Sequence, residues 1–442
     1  MAFLFQSISG SVTAPLGFRA SGVYCDVKRL GTGKGSNKTV DLDMALIAAD
    51  EPCAIAGLFT TNQVCAAPVK RCLEQIKDGK GQAIVVNSGN ANACTGDRGK
   101  NDAATMASET AKHMKINPDH VYVASTGRIG LPLPMPNIKR GIRASVAALG
   151  TGEKEARAAA EAIMTSDTHP KEFAVEISTP TGPIRIGGIA KGAGMIDPLM
   201  TPDGKPPGPR ELHATMLSFL TTDVSISQSM LQQALTVAVN GSFNSVTVDG
   251  DMSTNDTVLI MANGRAGNAE IKSTRSALFK VFQEGLSQVC VELAKMMVRD
   301  GEGASKFVTL RVSGAKTDAD ARAAGRAVAN SLLVKTSWCG GDPNWGRILD
   351  ALGYSSARIV EESVDVAYSA PGSEKRVYSL RGGRPTRVTF KRLCAEVARD
   401  EFDLHIHLNL GKGQAVIHTC DLTEEYVDFN KGDLSNPAAL GG

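Results

Sequence analysis

The chain has 442 residues, 42% of them hydrophobic and 21% charged, a globular balance that argues against disorder and fibre, and at roughly 150 residues per domain it predicts two or three packed units. Its 48 Lys and Arg against 46 Asp and Glu leave a net charge of +2, so no global field recruits nucleic acid or an anionic membrane. Aromatics at 5% give no base-stacking platform, and no apolar run approaches the ~18 residues that span a bilayer.

The opening, MAFLFQSISGSVTAPLGF, holds a short apolar patch and no basic residue before Arg19, which matches neither a signal peptide nor a basic transit peptide. Nine cysteines without a CxxC pair point to reduced thiols and a cytoplasmic location, with the mitochondrial matrix as the alternative. GTGKGSNK (31–38) resembles a phosphate loop, but Gly35 follows Lys34 where Ser or Thr is required, and a hairpin turn is the expectation. Strands are predicted at GQAIVVNSGN (81–90), VYVAST (121–126), FAVEI (173–177) and IRIGGIA (184–190). TPDGKPPGPRELH (201–213), with four prolines and two glycines, reads as an exposed loop near the middle of the chain.

VDGDMSTND (248–256) carries Asp249, Asp251, Ser253 and Asp256 like a calcium loop, but lacks the glycine at the sixth position and the later Glu. Apolar residues at helical spacing predict a helix from about Ser276 to Arg299, stopped by Gly301 and Gly303. A strand follows at Phe307–Val312, a helix from Asp318 to Leu333, and another starting near Pro343. Cys339 has no assigned partner base. His405 and His407 share one face of a strand without an evident third ligand, so a structural pair is expected. The alternation of strand and helix from end to end predicts a mixed, layered α/β protein.

Four segments, VNSGNANACTG (86–96), STGRIG (125–130), KGAGMIDPLM (191–200) and ATMLSFLTTD (214–223), together resemble the ornithine acetyltransferase, or glutamate N-acetyltransferase, family. GSFNSVTVDGDMSTNDT (241–257), RDGEGASK (299–306), GDPNWGRI (341–348) and CDLTEEYV (420–427) extend the resemblance over nearly the whole chain.

The resemblance implies a layered α/β sandwich of the self-cleaving N-terminal-nucleophile type. It implies cleavage between Ala214 and Thr215, giving an α chain, 1–214, that ends in the proline-rich loop, and a β chain, 215–442. The chemistry suits a threonine: its hydroxyl attacks the preceding carbonyl, and the freed α-amino group, with a reference pKa of about 7.7–8.0, then serves as base for the same hydroxyl. Thr126 and Gly127 match the family's oxyanion pair, and Thr165, Lys191, Thr215, Glu302, Asn430 and Ser435 match its substrate contacts. A lysine can pair with an α-carboxylate and a glutamate with an ammonium. The implied reaction moves acetyl from N2-acetylornithine to glutamate, in arginine synthesis, with no metal or organic cofactor and an α2β2 assembly of cleaved chains. Acetyl-CoA as a further donor is left open.

Three positions depart from the family pattern. Residues 201–213 intervene between the KGAGMI segment and the Ala-Thr bond, which makes Thr201 the alternative scissile residue, although it lacks a preceding Ala. Ser435 stands where the family often has Thr, and Met252 where a Thr is expected.

Overall fold

A computed structural model describes residues 4–32, 41–206 and 216–431. The described residues fall into two compact units, a larger one up to Asn244 together with Asp251–Met297, and a smaller one of Ser245–Gly250 and Val298–Lys431.

Among the described residues the sheet of the larger unit has ten strands. Eight run side by side in the order Phe5–Ile8, Lys171–Ile177, Ile184–Lys191, Leu217–Thr222, Thr257–Ala262, Met44–Thr60, Lys80–Asn90 and Val121–Arg128. Phe18–Val23 and Met200–Thr201 add to the long strand Met44–Thr60. Alternate residues of its strands enter two different cores. Met44, Leu46, Ala83 and Val85 pack with Met106, Ile138 and Ile142 from helices Gly96–Met114 and Met135–Ala147. Ala45, Ile47, Ile84 and Val86 face the opposite way, toward Val69, Ala156 and Ala159 from helices Ala67–Gln75 and Glu153–Ala162. Burial on both faces explains why these strands read as unbroken apolar runs.

The long helix is Ala277–Arg299. It lies against the sheet where Gly188 stands, since a Cβ there would come within 2.4 Å of Leu220 and 2.9 Å of Leu293. The proline-rich stretch begins as part of the fold: Thr201 pairs with Phe59, and a turn follows at Pro202–Gly204. Residues 207–215 lie outside the described residues. In the phosphate-loop look-alike, Gly31 and Thr32 close a helix, Val27–Thr32, and 33–38 lie outside the described residues. The strands on either side do pair antiparallel, Val23 with Met44, but a helix rather than a tight turn sits in their connection.

The smaller unit is a six-stranded sheet in the order Arg384–Pro385, Val377–Arg381, Asp365–Ser369, Glu401–His407, Phe307–Ala315 and Gly413–Cys420. Val308, Leu310 and Val312 pack beneath Ala321, Ala324 and Val328 of helix Asp318–Asn330, with Trp338 and Ile348 alongside. The helix expected to reach Leu333 ends at Asn330, because the Ser331 hydroxyl accepts the Val334 N–H and caps a new helix, Leu332–Cys339. Pro343 likewise precedes its helix, Trp345–Gly353, which is capped by Asn344 through the Arg347 N–H at 3.1 Å.

Candidate active site

Parallel strands Lys80–Asn90 and Val121–Arg128 end side by side, a common place for a binding crevice in α/β sheets. A bulge there sets Asn90 opposite both Thr126 and Arg128. Thr126 is 1% exposed, and its Oγ1 has no hydrogen-bond partner among the described residues. Gly127 follows at φ +124, and a Cβ on it would lie 2.3 Å from the Gly89 carbonyl carbon, so only glycine fits. Around them Ser125 Oγ donates to Asn87 Oδ1 at 2.6 Å, Asn87 donates to the Asn90 carbonyl at 2.8 Å, and Asn255 donates to the Ala91 and Ser125 carbonyls at 2.7 Å. This network satisfies its members and leaves the Thr126 hydroxyl as the spare donor.

Asp167 is fully buried, with partners at both of its oxygens. Its Oδ1 accepts from Lys171 Nζ and from the Gly192 N–H, both at 2.6 Å, while Oδ2 accepts the Thr165 N–H at 2.9 Å and stands 4.0 Å from Lys191 Nζ. Burial by itself raises a carboxyl pKa, but Lys171, Lys191 and the Gly192 N–H outweigh it and hold Asp167 well below the usual carboxylate range. Lys191, 2% exposed, ends strand Ile184–Lys191. Lys28, also buried, donates to the Leu42 carbonyl at 2.6 Å, and burial draws its ammonium down to about 8 against Asp43 and Asp167. Thr165 and Lys191 are thus joined through one carboxylate.

Ala214, Thr215 and Ser435 lie outside the described residues. Their neighbour Met216 is fully buried; its N–H donates to Asp256 Oδ1, and its carbonyl accepts the Thr257 N–H at 3.1 Å. The next residue, Leu217, sits between Lys191 on one strand and Thr257 on the other. Thr201, the alternative scissile residue, is in strand register with Phe59 and donates to the Lys205 carbonyl at 3.0 Å.

In the smaller unit Asn430 Nδ2 donates to Glu302 Oε2 at 2.9 Å, so two candidates more than a hundred residues apart meet. In the calcium-like segment Asp249 accepts from Tyr426 Oη at 3.3 Å, Ser253 Oγ accepts the Asn255 N–H at 2.9 Å, and Asp256 belongs to the Met216 contact. His405 and His407 hydrogen-bond the Ser369 and Ser313 hydroxyls at 2.9 Å. All nine cysteines are free thiols, and burial with nearby Asp421 raises the pKa of Cys339, away from nucleophilic reactivity.

The model of the ArgJ family matches residues 20–432. The chain belongs to the ArgJ family. It is 44% identical over 423 residues to the arginine biosynthesis bifunctional protein ArgJ of Symbiobacterium thermophilum, covering 96% of this chain and 98% of the relative. It is also 44% identical over 429 residues to the glutamate N-acetyltransferase of Methanocaldococcus jannaschii, at 96% and 98% coverage. The crystal structure of ornithine acetyltransferase with ornithine from Mycobacterium tuberculosis is similar at 37% identity and TM-score 0.40, covering 45% of this chain and 100% of that one.

Two carboxylates in this ArgJ-family chain have partners that the sequence does not show. Asp167 stands between Thr165 and Lys171 in TSDTHPK, and its signal was only the closeness of an acid to a lysine that turned out to be buried with it. Asp256 was noticed, but as a calcium-loop acid; its tie to Met216 spans 40 residues and leaves no local pattern.

Proposed function

We propose that this chain moves acetyl from N2-acetylornithine to glutamate in arginine biosynthesis, through an acetyl ester on Thr215 formed after self-cleavage between Ala214 and Thr215. The observation that carries this reading is the family match over residues 20–432, with relatives of 44% identity over 96% of the chain.

In the first half-reaction the Thr215 hydroxyl attacks the acetyl carbonyl, the α-amino group of Thr215 takes its proton, and that proton leaves with the ornithine amine. In the second, the glutamate amine attacks the ester, acetyl passes to it, and the threonine oxygen regains a proton. The negative charge on the tetrahedral carbon's oxygen needs a donor that is unoccupied beforehand. The Thr126 hydroxyl, buried and without a partner among the described residues, suits this role, with the Gly127 N–H beside it. Lys191 suits the carboxylate shared by both amino acids, with Thr165 held near it through Asp167. In the smaller unit Glu302, already accepting from Asn430, can accept from an ammonium. No metal or organic cofactor enters these steps. Ser435 completes the proposed substrate contacts.

The proposal extends to an α2β2 assembly in the cytoplasm. No helix among the described residues is long and apolar enough to cross a membrane. Native mass measurement tests the assembly.

Intact mass of the purified protein tests the chemistry. Two fragments are expected, the second beginning Thr-Met-Leu-Ser, gaining one acetyl group on Thr215 when N2-acetylornithine is added alone. Thr215→Ala is expected to stay whole and inactive, and the two substrates to give parallel-line kinetics. A single active full-length chain, a fragment beginning at Thr201, or acetyl release to water without glutamate would each replace this reading. Acetyl-CoA supplied with glutamate tests the second donor.

A further inference from the structure

Asn255 is 2% exposed and stands just before strand Thr257–Ala262. Its side-chain nitrogen donates to the carbonyls of Ala91 and Ser125, each at 2.7 Å, while its Oδ1 accepts the Thr254 hydroxyl. Carbonyl oxygens only accept, so the amide fits one way round, with both of its N–H bonds spent on backbone. The main chain of Asn255 is held as well: its N–H donates to Ser253 Oγ at 2.9 Å, and its carbonyl accepts the Thr257 hydroxyl at 2.9 Å.

The two gripped carbonyls are distant in sequence, and what lies between them in space is the strand end that carries Thr126 and Gly127. The Ser125 carbonyl belongs to the peptide bond into Thr126, so its hydrogen bond to Asn255 fixes the plane from which the Thr126 side chain departs. On the other side of the pair the Arg128 carbonyl accepts the Ala91 N–H at 2.9 Å, and Ala91 is the residue that Asn255 also holds. Residues 125–128 are thus anchored at both ends to one buried amide, directly at Ser125 and through Ala91 at Arg128. Between the anchors the buried Thr126 hydroxyl has no hydrogen-bond partner among the described residues. Leaving a buried hydroxyl empty costs stability, and a donor that does not have to reorient as charge develops is what an oxyanion requires.

We propose that Asn255 is a positioning residue for acetyl transfer, clamping the 125–128 strand end so that the Thr126 hydroxyl is held in one place for the oxyanion. This rests on the reading of Thr126 as the oxyanion donor. Asn255 acts through Thr126, because its two N–H bonds are committed to the backbone and none remains for substrate.

The test measures steady-state kinetics with N2-acetylornithine and glutamate on full-length wild type, Thr126→Val, Asn255→Leu and the double variant, with rates expressed per cleaved chain from intact mass. Asn255→Leu is expected to lower kcat on the order of tenfold or more, with KM within about twofold, because the donor is displaced while the binding groups are not. In the Thr126→Val background the same change is expected to lower kcat by less than about threefold, since the hydroxyl it positions is already gone. A loss of equal size in both backgrounds overturns the proposal, as does wild-type kcat in Asn255→Leu or a loss carried by KM. If Asn255→Leu does not fold or is not cut, Asn255→Asp takes its place in the cycle, with the same shape and no N–H for the two carbonyls. Failure of both variants to fold and be cut makes Asn255 a folding residue and overturns the positioning role. Wild-type kcat in Thr126→Val, or a wild type that transfers no acetyl, removes the oxyanion reading and this proposal together. An impaired Thr126→Val beside an unimpaired Asn255→Leu removes this proposal alone.

Discussion

Asp167 and Lys191 face each other across 4.0 Å with both side chains buried, and the same Asp167 oxygen that faces the lysine accepts the Thr165 N–H. One carboxylate therefore orients two residues proposed to touch substrate. It also neutralises Lys171, whose Nζ lies 2.6 Å from the other oxygen.

Removing that charge should be expensive. Asp167→Asn removes the carboxylate that faces buried Lys171 and Lys191, and a loss of roughly 3–5 kcal/mol is expected in chemical denaturation. The pH dependence follows from the sign of the shift. The folded carboxyl titrates below the unfolded one, so its stabilisation is full above about pH 4 and is lost as the pH falls from there toward the depressed folded value. The asparagine variant should lack that acid limb. Unchanged stability at neutral pH would show that the lysines do not depend on Asp167.

Thr126→Val separates catalysis from packing. Valine has the shape of threonine, and the hydroxyl it removes has no partner among the described residues, so stability should hold or rise slightly. The value of kcat should fall by about 10²–10³, the usual effect of losing one oxyanion donor, with little change in KM. A kcat within a few-fold of wild type would remove Thr126 from that role.

Gly127→Ala and Gly353→Ala form a matched pair. At Gly127 the new Cβ meets the Gly89 backbone at 2.3 Å, with φ at +124, whereas at Gly353 nothing lies within 4 Å. The first should lose on the order of 2–4 kcal/mol or fail to accumulate. The second, at the end of helix Trp345–Gly353, should gain up to about 1 kcal/mol. Equal melting temperatures would contradict the crowding at the Thr126–Gly127 bulge.

His405 should make the smaller unit acid-sensitive. Burial, with Arg376 and Arg311, brings its pKa down to about 4. The unfolded ring takes a proton near pH 6.5 and the folded ring does not, so stability falls as the pH drops from about 6.5 toward 4 and levels off below. His405→Asn should flatten the melting temperature over that window. A curve that keeps its slope would assign the acid sensitivity elsewhere.

The two proposed chains should separate only on denaturation. Strand Ile184–Lys191, from before the scissile bond, pairs along its length with Leu217–Thr222, from after it, and both lie inside one sheet. Two bands on a denaturing gel are therefore expected with a single peak in native size-exclusion chromatography. Elution of free α chain would deny that the sheet holds the halves together.

By itself the sequence determined the elements whose signal is local. The 3.6-residue apolar spacing marked the helix ending at Arg299 to within one residue at its start, and doubly buried strands such as Lys80–Asn90 announced themselves as apolar runs. Its motif spellings also carried the family, because a fixed order of Gly, Thr and Asn at turns and strand ends is readable without coordinates. The break at Ser331 was not readable, since a serine in an Ala-rich stretch caps a helix only if the chain changes direction there. The roles of Asp167 and Asp256 depended wholly on the tertiary structure. Whether an aspartate is a solvated surface charge or a buried clamp is decided by what distant strands bring to it, here Lys191 and the Met216 N–H, and by the water they exclude.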